Sequence, residues 1–449
     1  MGFEITNKLL DNLTTYIDTK NDAAISTLFA EVHYADIAEV LDEIKFEEAV
    51  YIIKLLDSET TSAVLMETDE DTREKILKNL TAKEIANEIS ELDSDDAADM
   101  IAELPEERQE AVMSKIEDEE HVKEIEELLS YDENSAGGLM AKELVQVNEN
   151  WTVLKCVKEM RIQAEEVTRV HSIYVVDDAG KLKGRLSLKD LLVASTRTPI
   201  SEIYIPKVDF VNVIDGAEDV ANIMRKYDLE AIPVVDDHQV LLGRITIDDI
   251  VDVIKEEADK DYQMAAGITQ DVEADDSILE LTKARLPWLF LGLLGGIGAF
   301  IIMEGFHGVF EKYAALFFFT PLIAAMAGNV GVQSSAIIVQ GLANDDIKGS
   351  INSRLLKEML LAALNGIILA LFLFLFVWLS QGKIALAIAI SVSLVVVIIV
   401  AGLIGTFVPL FLNKRGIDPA IATGPFITTS NDIFGILIYF MIAKMILVL

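Results

Sequence analysis

The sequence predicts a multidomain membrane protein. It comprises an N-terminal all-α superhelical domain, a tandem α/β pair, and an α-helical membrane domain with five transmembrane helices. Three observations predict this: segregated charge, an internal repeat at constant offset, and five long apolar runs. The chain has 449 residues, 51% hydrophobic and 25% charged, with a formal charge of −37. Residues 1–262 hold 62 acidic and 27 basic side chains, whereas residues 263–449 hold 12 and 10. An acidic half is thus joined to an apolar half, which excludes a wholly soluble protein. Excess acid disfavours nucleic acid, whose phosphates require Lys and Arg, and favours cations. The single cysteine, Cys156, excludes an intrachain disulfide and fits a reducing compartment. The N-terminus lacks the basic-then-apolar pattern of a signal peptide.

Residues 1–130 read as consecutive amphipathic helices, with apolar residues recurring at three and four, as in IAEVLDEIKFEEAVYIIKLL from Ile37. Polar turns at Leu56-Asp57-Ser58 and Glu103-Leu104-Pro105 separate them. Within 131–256, VVDDAGKLKGRLSLKDLL from Val175 aligns with VVDDHQVLLGRITIDDIV from Val234 at a constant offset of 59. Each copy reads as strand, turn, strand, then Ser/Thr-x-x-Asp opening a helix. The preceding helix is displaced by about five extra residues in the first copy. The expected divisions are 131–197, 198–256, a charged connecting region at 257–283, and the membrane domain at 284–449.

Five runs approach or exceed the roughly 20 apolar residues a membrane helix needs: Leu286–Met303, Ala314–Gly341, Leu355–Leu379, Ile384–Leu412 and Ala420–Leu449. Pro287 is read as opening the first. Basic flanks set orientation. Lys283, Arg285, Lys348, Arg354, Lys357, Lys414 and Arg415 lie on one side, and Lys312, Lys383 and Lys444 on the other. The acidic half is therefore expected in the cytoplasm and the C-terminus outside, in a multi-pass plasma-membrane protein.

Ionisable groups inside spans are costly and usually functional. The last span has one acid, Asp432, in GPFITTSNDIFG; counted from Ala420 it lies roughly 18 Å into the helix. Thr428, Thr429, Ser430 and Asn431 precede it as further oxygen donors. The second span carries GNVGVQSS (Gly328–Ser335), whose Asn329, Gln333 and serines suit a hard cation. In the acidic half, carboxylates cluster at Asp93, Asp95, Asp96 and Asp99, at Glu218 and Asp219, at Asp248, Asp249 and Asp252, and at Glu256, Glu257, Asp259 and Asp261. Two carboxylates 4 Å apart repel by about 4 kcal/mol at an effective dielectric of 20, so compaction calls for bridging cations. The five histidines lack metal-ligand spacing and read as surface or core residues. The chain has no phosphate-binding GxxxxGK[ST] motif and no nucleophile constellation, so no enzymatic activity is expected.

The order of these parts resembles the MgtE-type magnesium channel family over essentially the whole chain. The resemblance rests on the acidic helical domain, NSAGGLM (Asn134–Met140), a CBS pair, a charged connecting helix, and the membrane motifs PLIAAMAGNVGVQ and PFITTSND. It implies a homodimer in membrane lipid with a pore on the two-fold axis, magnesium as the ion, and cytoplasmic domains that close the pore when magnesium is plentiful. It also implies Asp432 as the pore carboxylate with Asn329 and Gln333 lining or supporting the pore. Asp95 and Asp99 become N-domain sensing acids, Glu218 and Asp228 acids of the CBS pair, Asp249 and Asp252 acids of the junction, and Glu257 and Asp261 acids of the connecting (plug) helix. Departures occur at Ala63, Lys260 and Gly424. The Ser/Thr-x-x-Asp pieces, including Asp190, make the CBS pair a candidate adenine-nucleotide site. Against the channel stands an ion-coupled secondary divalent-cation transporter, whose usual inverted repeat does not divide five spans evenly. A membrane-anchored nucleotide sensor would have no use for Asp432 or GNVGVQSS.

Overall fold

The computed structural model describes residues 3–165, 167, 169–270, 272, 276–343, 347, 350–422 and 424–447. Lys348 and Leu449, named above, lie outside them. The chain forms two compact units, residues 1–254 and 255–449.

In the first unit, ten short helices among the described residues run from α1 (Asn7–Asp18) to α10 (Glu119–Leu128). Side chains that start helices recur at their ends: Thr6, Asn21, Asp57, Asp69 and Asp118 each accept a hydrogen bond from a first-turn N–H. Thr81 and Glu84 form a reciprocal capping box on α7 (Ala82–Ile89). Pro105 stops α8 (Ser94–Ala102) from continuing into the next helix.

The pair then builds two sheets. In the first, β1 (Val145–Asn148) runs parallel to β2 (Ile173–Val176), and β3 (Leu182–Leu186) and β4 (Ile205–Pro206) follow antiparallel. In the second, β5 (Val211–Asn212) is parallel to β6 (Ala231–Val235), which pairs antiparallel with β7 (Leu241–Thr246). The offset of 59 survives in three dimensions. Strand bulges fall at Val175/Val176 and Val234/Val235. Asp177 Oδ1 accepts from the N–H groups of Ala179 and Lys181, and Asp236 Oδ1 from those of His238 and Val240. The helices before these strands are α11 (Val153–Gln163) and α13 (Ala217–Tyr227); α12 (Leu188–Val193) and α14 (Ile247–Ala266) follow them.

Two features were not legible in the sequence. First, the helical domain and the second half of the pair share one hydrophobic core, from Leu13 to Val253, whereas the first half has its own around Val175 and Leu186. NSAGGLM makes this junction: Ala136 and Gly137 donate to the carbonyls of Asp215 and Val213, and Ala141 and Arg244 exchange backbone hydrogen bonds. The approach requires glycine at 243, where a Cβ would sit 2.6 Å from the Ala141 carbonyl oxygen. Second, the helix that follows Thr246 runs unbroken as α14 from Ile247 to Ala266.

The second unit contains the five apolar helices: α15 (Ile278–Gly305), α17 (Ala315–Ala343), α18 (Ile351–Gln381), α19 (Ile384–Asn413) and α20 (Gly424–Ile446), each long enough to cross a membrane, with the short α16 (His307–Lys312) after the first. Pro287 does not open α15. The helix starts nine residues earlier on a Ser277–Glu280 capping box, and Pro287 is interior. The S-x-x-E pattern was the available signal. The α19 helix is the most buried and α15 the least. Tyr439 of α20 donates its hydroxyl to the Leu316 carbonyl of α17 at 3.0 Å. At Gly331, α17 meets both neighbours: a Cβ there would collide with the Asn431 amide and lie 2.7 Å from Ile427 Cγ2, while Gly405 of α19 faces the Gly331 carbonyl. Small residues at such crossings let backbones approach closely.

Gly331→Leu should therefore spread α17 from α20 and cost about 1–3 kcal/mol by overpacking. A lowered melting temperature of the detergent-purified protein is the expected reading.

Candidate functional site

In the membrane unit, α17 presents Asn329 and Gln333 one turn apart on one face. Asp432 and Thr428, also four apart, face them from α20. Together with Ala324, Ala325, Gly328 and Val332 they line a cleft of about 330 Å³. Asn329 and Gln333 are exposed in the single chain, and Asp432 is half-buried. Every polar group here has an oxygen to offer a cation, and the lining holds no basic side chain. The three membrane residues singled out in the sequence line one cleft, but the depth of Asp432 along its helix differs from the expected one. Because α20 begins at Gly424 rather than Ala420, Asp432 lies about 12 Å from its start, about 4.5 Å short of the helix midpoint. Of the four preceding donors, Thr428 joins the lining. Thr429 packs over Gly295 of α15, and Asn431 is 1% exposed against Gly331. Glu358 of α18 was missed. Its Oε1 accepts the Ser334 hydroxyl of the GNVGVQSS segment at 2.6 Å and fits against Gly402.

In the first unit, two helix N-termini confront each other. Asp95 and Asp96 occupy the first turn of α8, and Asp248 and Asp249 the first turn of α14. Partial positive charge at helix starts accommodates acids there, but not several together away from water. Burial, then Asp96 and Asp249, hold the Asp95 carboxyl well above its ordinary range. Burial, then Asp249 and Asp93, push Asp96 up to about 7. Asp249 is also raised by burial, although its carboxylate accepts from the Thr246 N–H at 3.1 Å and hydroxyl at 2.6 Å. Asp99 keeps an open face to solvent, yet the protein crowded around it, then Asp96 and Glu133, push it up to about 7. Buried Arg244, unforeseen as a site residue, approaches Asp93 at 3.5 Å and donates to the Glu143 carbonyl at 2.5 Å. Its Nη1 is buried without a hydrogen-bond partner.

The remaining sequence-named acids lie elsewhere. Glu218 and Asp252 are exposed. Asp228 caps α13 in a left-handed conformation and lines a separate cleft of about 340 Å³ with Arg225, Glu230 and Ile254. Asp190 sits half-buried in the first turn of α12. In the second unit, Glu257 is paired with Lys260 at 3.2 Å. Asp261 is raised by burial and then by Asp418.

A five-helix membrane unit with an oxygen-lined cleft, carried with an acidic helical domain and an α/β pair, defines a transporter of divalent cations with appended soluble domains. Family models agree: residues 320–442 match "Divalent cation transporter", 32–134 "MgtE intracellular N domain", and 136–197 and 200–256 "CBS domain". The magnesium transporter MgtE of Thermus thermophilus is 35% identical over 320 residues, 71% of each chain. That of Enterococcus faecalis is 36% identical over 318 residues, 71% of this chain and 70% of the relative. The crystal structure of the cytosolic domain of the Mg2+ channel MgtE in complex with ATP superposes with a TM-score of 0.51 at 34% identity, covering 54% of this chain and 98% of that one. The protein belongs to the MgtE family of magnesium transporters.

Acids whose folded-state pKa exceeds the ordinary 3.8 bind more protons folded than unfolded between about pH 4 and 7. The contribution of these acids to the stability of the metal-free protein should therefore be greatest below that window and be lost as pH rises through about 7. Magnesium should raise the melting temperature more at pH 8 than at pH 5, as thermal melts with and without the ion would show.

Proposed function

We propose that this protein is a magnesium-selective channel that admits Mg2+ to the cytoplasm and closes when cytosolic Mg2+ binds its acidic surfaces. The observation that carries the reading is the meeting of Asp432, Asn329 and Gln333 in one cleft. Magnesium surrenders water reluctantly and prefers octahedral oxygen coordination. A carboxylate flanked by amides can hold it through its water shell without a dehydrating cage. The lining is open to solvent in the single chain. In a homodimer in membrane lipid, two Asp432 carboxylates would face one another across the axis. The seven-to-three basic bias supports a cytoplasmic N-terminus and an external C-terminus, and a reporter fused after residue 449 should register outside.

For gating, the Asp95, Asp96 and Asp249 group supplies the sensor. Ionised and unbridged, these acids repel; magnesium between them favours the compact state and shifts the population toward closure. Residues 257–283, with Glu257 and Asp261, act as the connecting piece that transmits this to the pore. Asp99, Glu218, Asp228 and Asp252 complete the sensing surfaces. The CBS pair, with Asp190, takes an adenine nucleotide as a regulator, a reading supported by the ATP-bound relative.

Asp432→Asn should abolish magnesium flux into proteoliposomes while the dimer still assembles; parental flux would reduce Asp432 to a structural group. Unitary currents from the parent would exclude the alternating access of a coupled transporter. Asp249→Asn should weaken magnesium-dependent protease resistance of residues 1–254 and leave the channel open at higher internal magnesium. Equal protection by magnesium and by sodium at matched ionic strength would remove the sensor and leave the pore.

A further inference from the structure

The sequence set aside all five histidines, but the fold places one among carboxylates. His121 and Glu124 lie three apart on α10, and Glu143 lies in the segment entering β1. One ligating atom from each comes within 4.8 Å of the others, and all three side chains are half-buried. Among the described residues this is the one group of His, Cys, Asp or Glu at such spacing.

We propose that His121, Glu124 and Glu143 form a transition-metal site of the zinc class, separate from the oxygen-only magnesium sites. The donor set decides the metal. Imidazole suits zinc, cobalt and nickel, whereas magnesium is held by carboxylates, phosphates and water. One nitrogen and two oxygens leave a tetrahedral ion a position for water. Bonds of about 2.0–2.2 Å to a tetrahedral ion set its donors roughly 3.3–3.6 Å apart, so an ion would draw in any pair that stands near the 4.8 Å limit.

The outer contacts are those that orient ligands. His121 Nε2 lies 3.3 Å from the Ile89 carbonyl, an acceptor, so the proton belongs on Nε2 and the lone pair on Nδ1. Glu143 accepts the Ser94 N–H at 3.0 Å and its hydroxyl at 2.8 Å, which fixes the carboxylate. The nearby cation, Lys142, pairs instead with Glu127 at 2.6 Å. Burial and then Glu143 raise the Glu124 carboxyl to about 7, and Lys142 offsets part of that rise.

A bound ion would tie α10 to Glu143, and through Ser94 to the first turn of α8 that bears Asp95 and Asp96. Filling the site would favour the compact first unit by mass action. That consequence rests on the gating reading above; binding itself does not.

The test uses full-length protein in detergent, stripped with chelator and held in excess MgCl2 so that oxygen-only sites stay filled. It is titrated with Co2+, followed by visible d–d absorption, and then challenged with Zn2+. One Co2+ per chain, displaced by Zn2+, is expected. His121→Gln and Glu124→Gln, both near-isosteric at half-buried positions, should each weaken Co2+ binding by about tenfold or more while keeping the parent's melting temperature. Absence of the band in the parent, or parental binding in a folded Glu124→Gln variant, would overturn the site. Because transport is not the readout, failure here leaves the channel reading standing, and failure of the channel reading leaves the site.

Discussion

The first unit depends on a confrontation of like charges. The start of α8 and the start of α14 each carry acids, and the fold brings them together in a place partly shut off from water. Coulomb repulsion and desolvation both oppose ionisation there, and Arg244 offsets part of it through Asp93. The arrangement survives because one hydrophobic core runs beneath both the helical domain and the second sheet. Apolar burial holds the acids where their own charges would not. A site of this kind is sensitive to protons and to cations, and the hydrophobic framework sets how strongly.

The membrane unit has the opposite economy. Apolar side chains gain little by leaving lipid for protein, so close backbone packing and hydrogen bonds hold the helices. Gly331, Gly405 and the Tyr439–Leu316 hydrogen bond draw α17, α19 and α20 together. That crossing turns Asn431 inward and leaves its neighbour Asp432 on the open face with Asn329 and Gln333. Glu358 braces the same segment from α18 through Ser334. The geometry of the cleft thus follows from small residues that carry no charge.

Lys260 shows how a local departure alters a surface without altering the fold. Its ammonium lies one turn beyond Glu257 and pairs with it, so a fixed cation stands beside an acid of the connecting helix. Asp261, one residue further, is raised by burial, then by Asp418 and Glu257, and Lys260 lowers it in part. One lysine thus acts on both acids of the helix, by an ion pair with Glu257 and at longer range on Asp261.

The sequence by itself determined the helical N-terminal domain, the repeated α/β unit and the five apolar helices, because amphipathic period, strand pattern and span length are local properties. Its offset of 59 reappears in bulges and turn hydrogen bonds. It also brought forward Asp432, Asn329, Gln333, Asp95 and Asp249. Tertiary structure alone decided which acids would meet. Asp95 and Asp249 are far apart in the chain; burial raises both, with Asp96 and then Asp249 adding to Asp95 and Asp248 adding to Asp249. It likewise decided that Glu218 and Asp252 stay in solvent, that Asn431 is buried beside an open Asp432, and that His121 stands among carboxylates. Charge pattern gives the sign and number of such groups; their separation and access to water, which fix their energies, exist only once the core has packed.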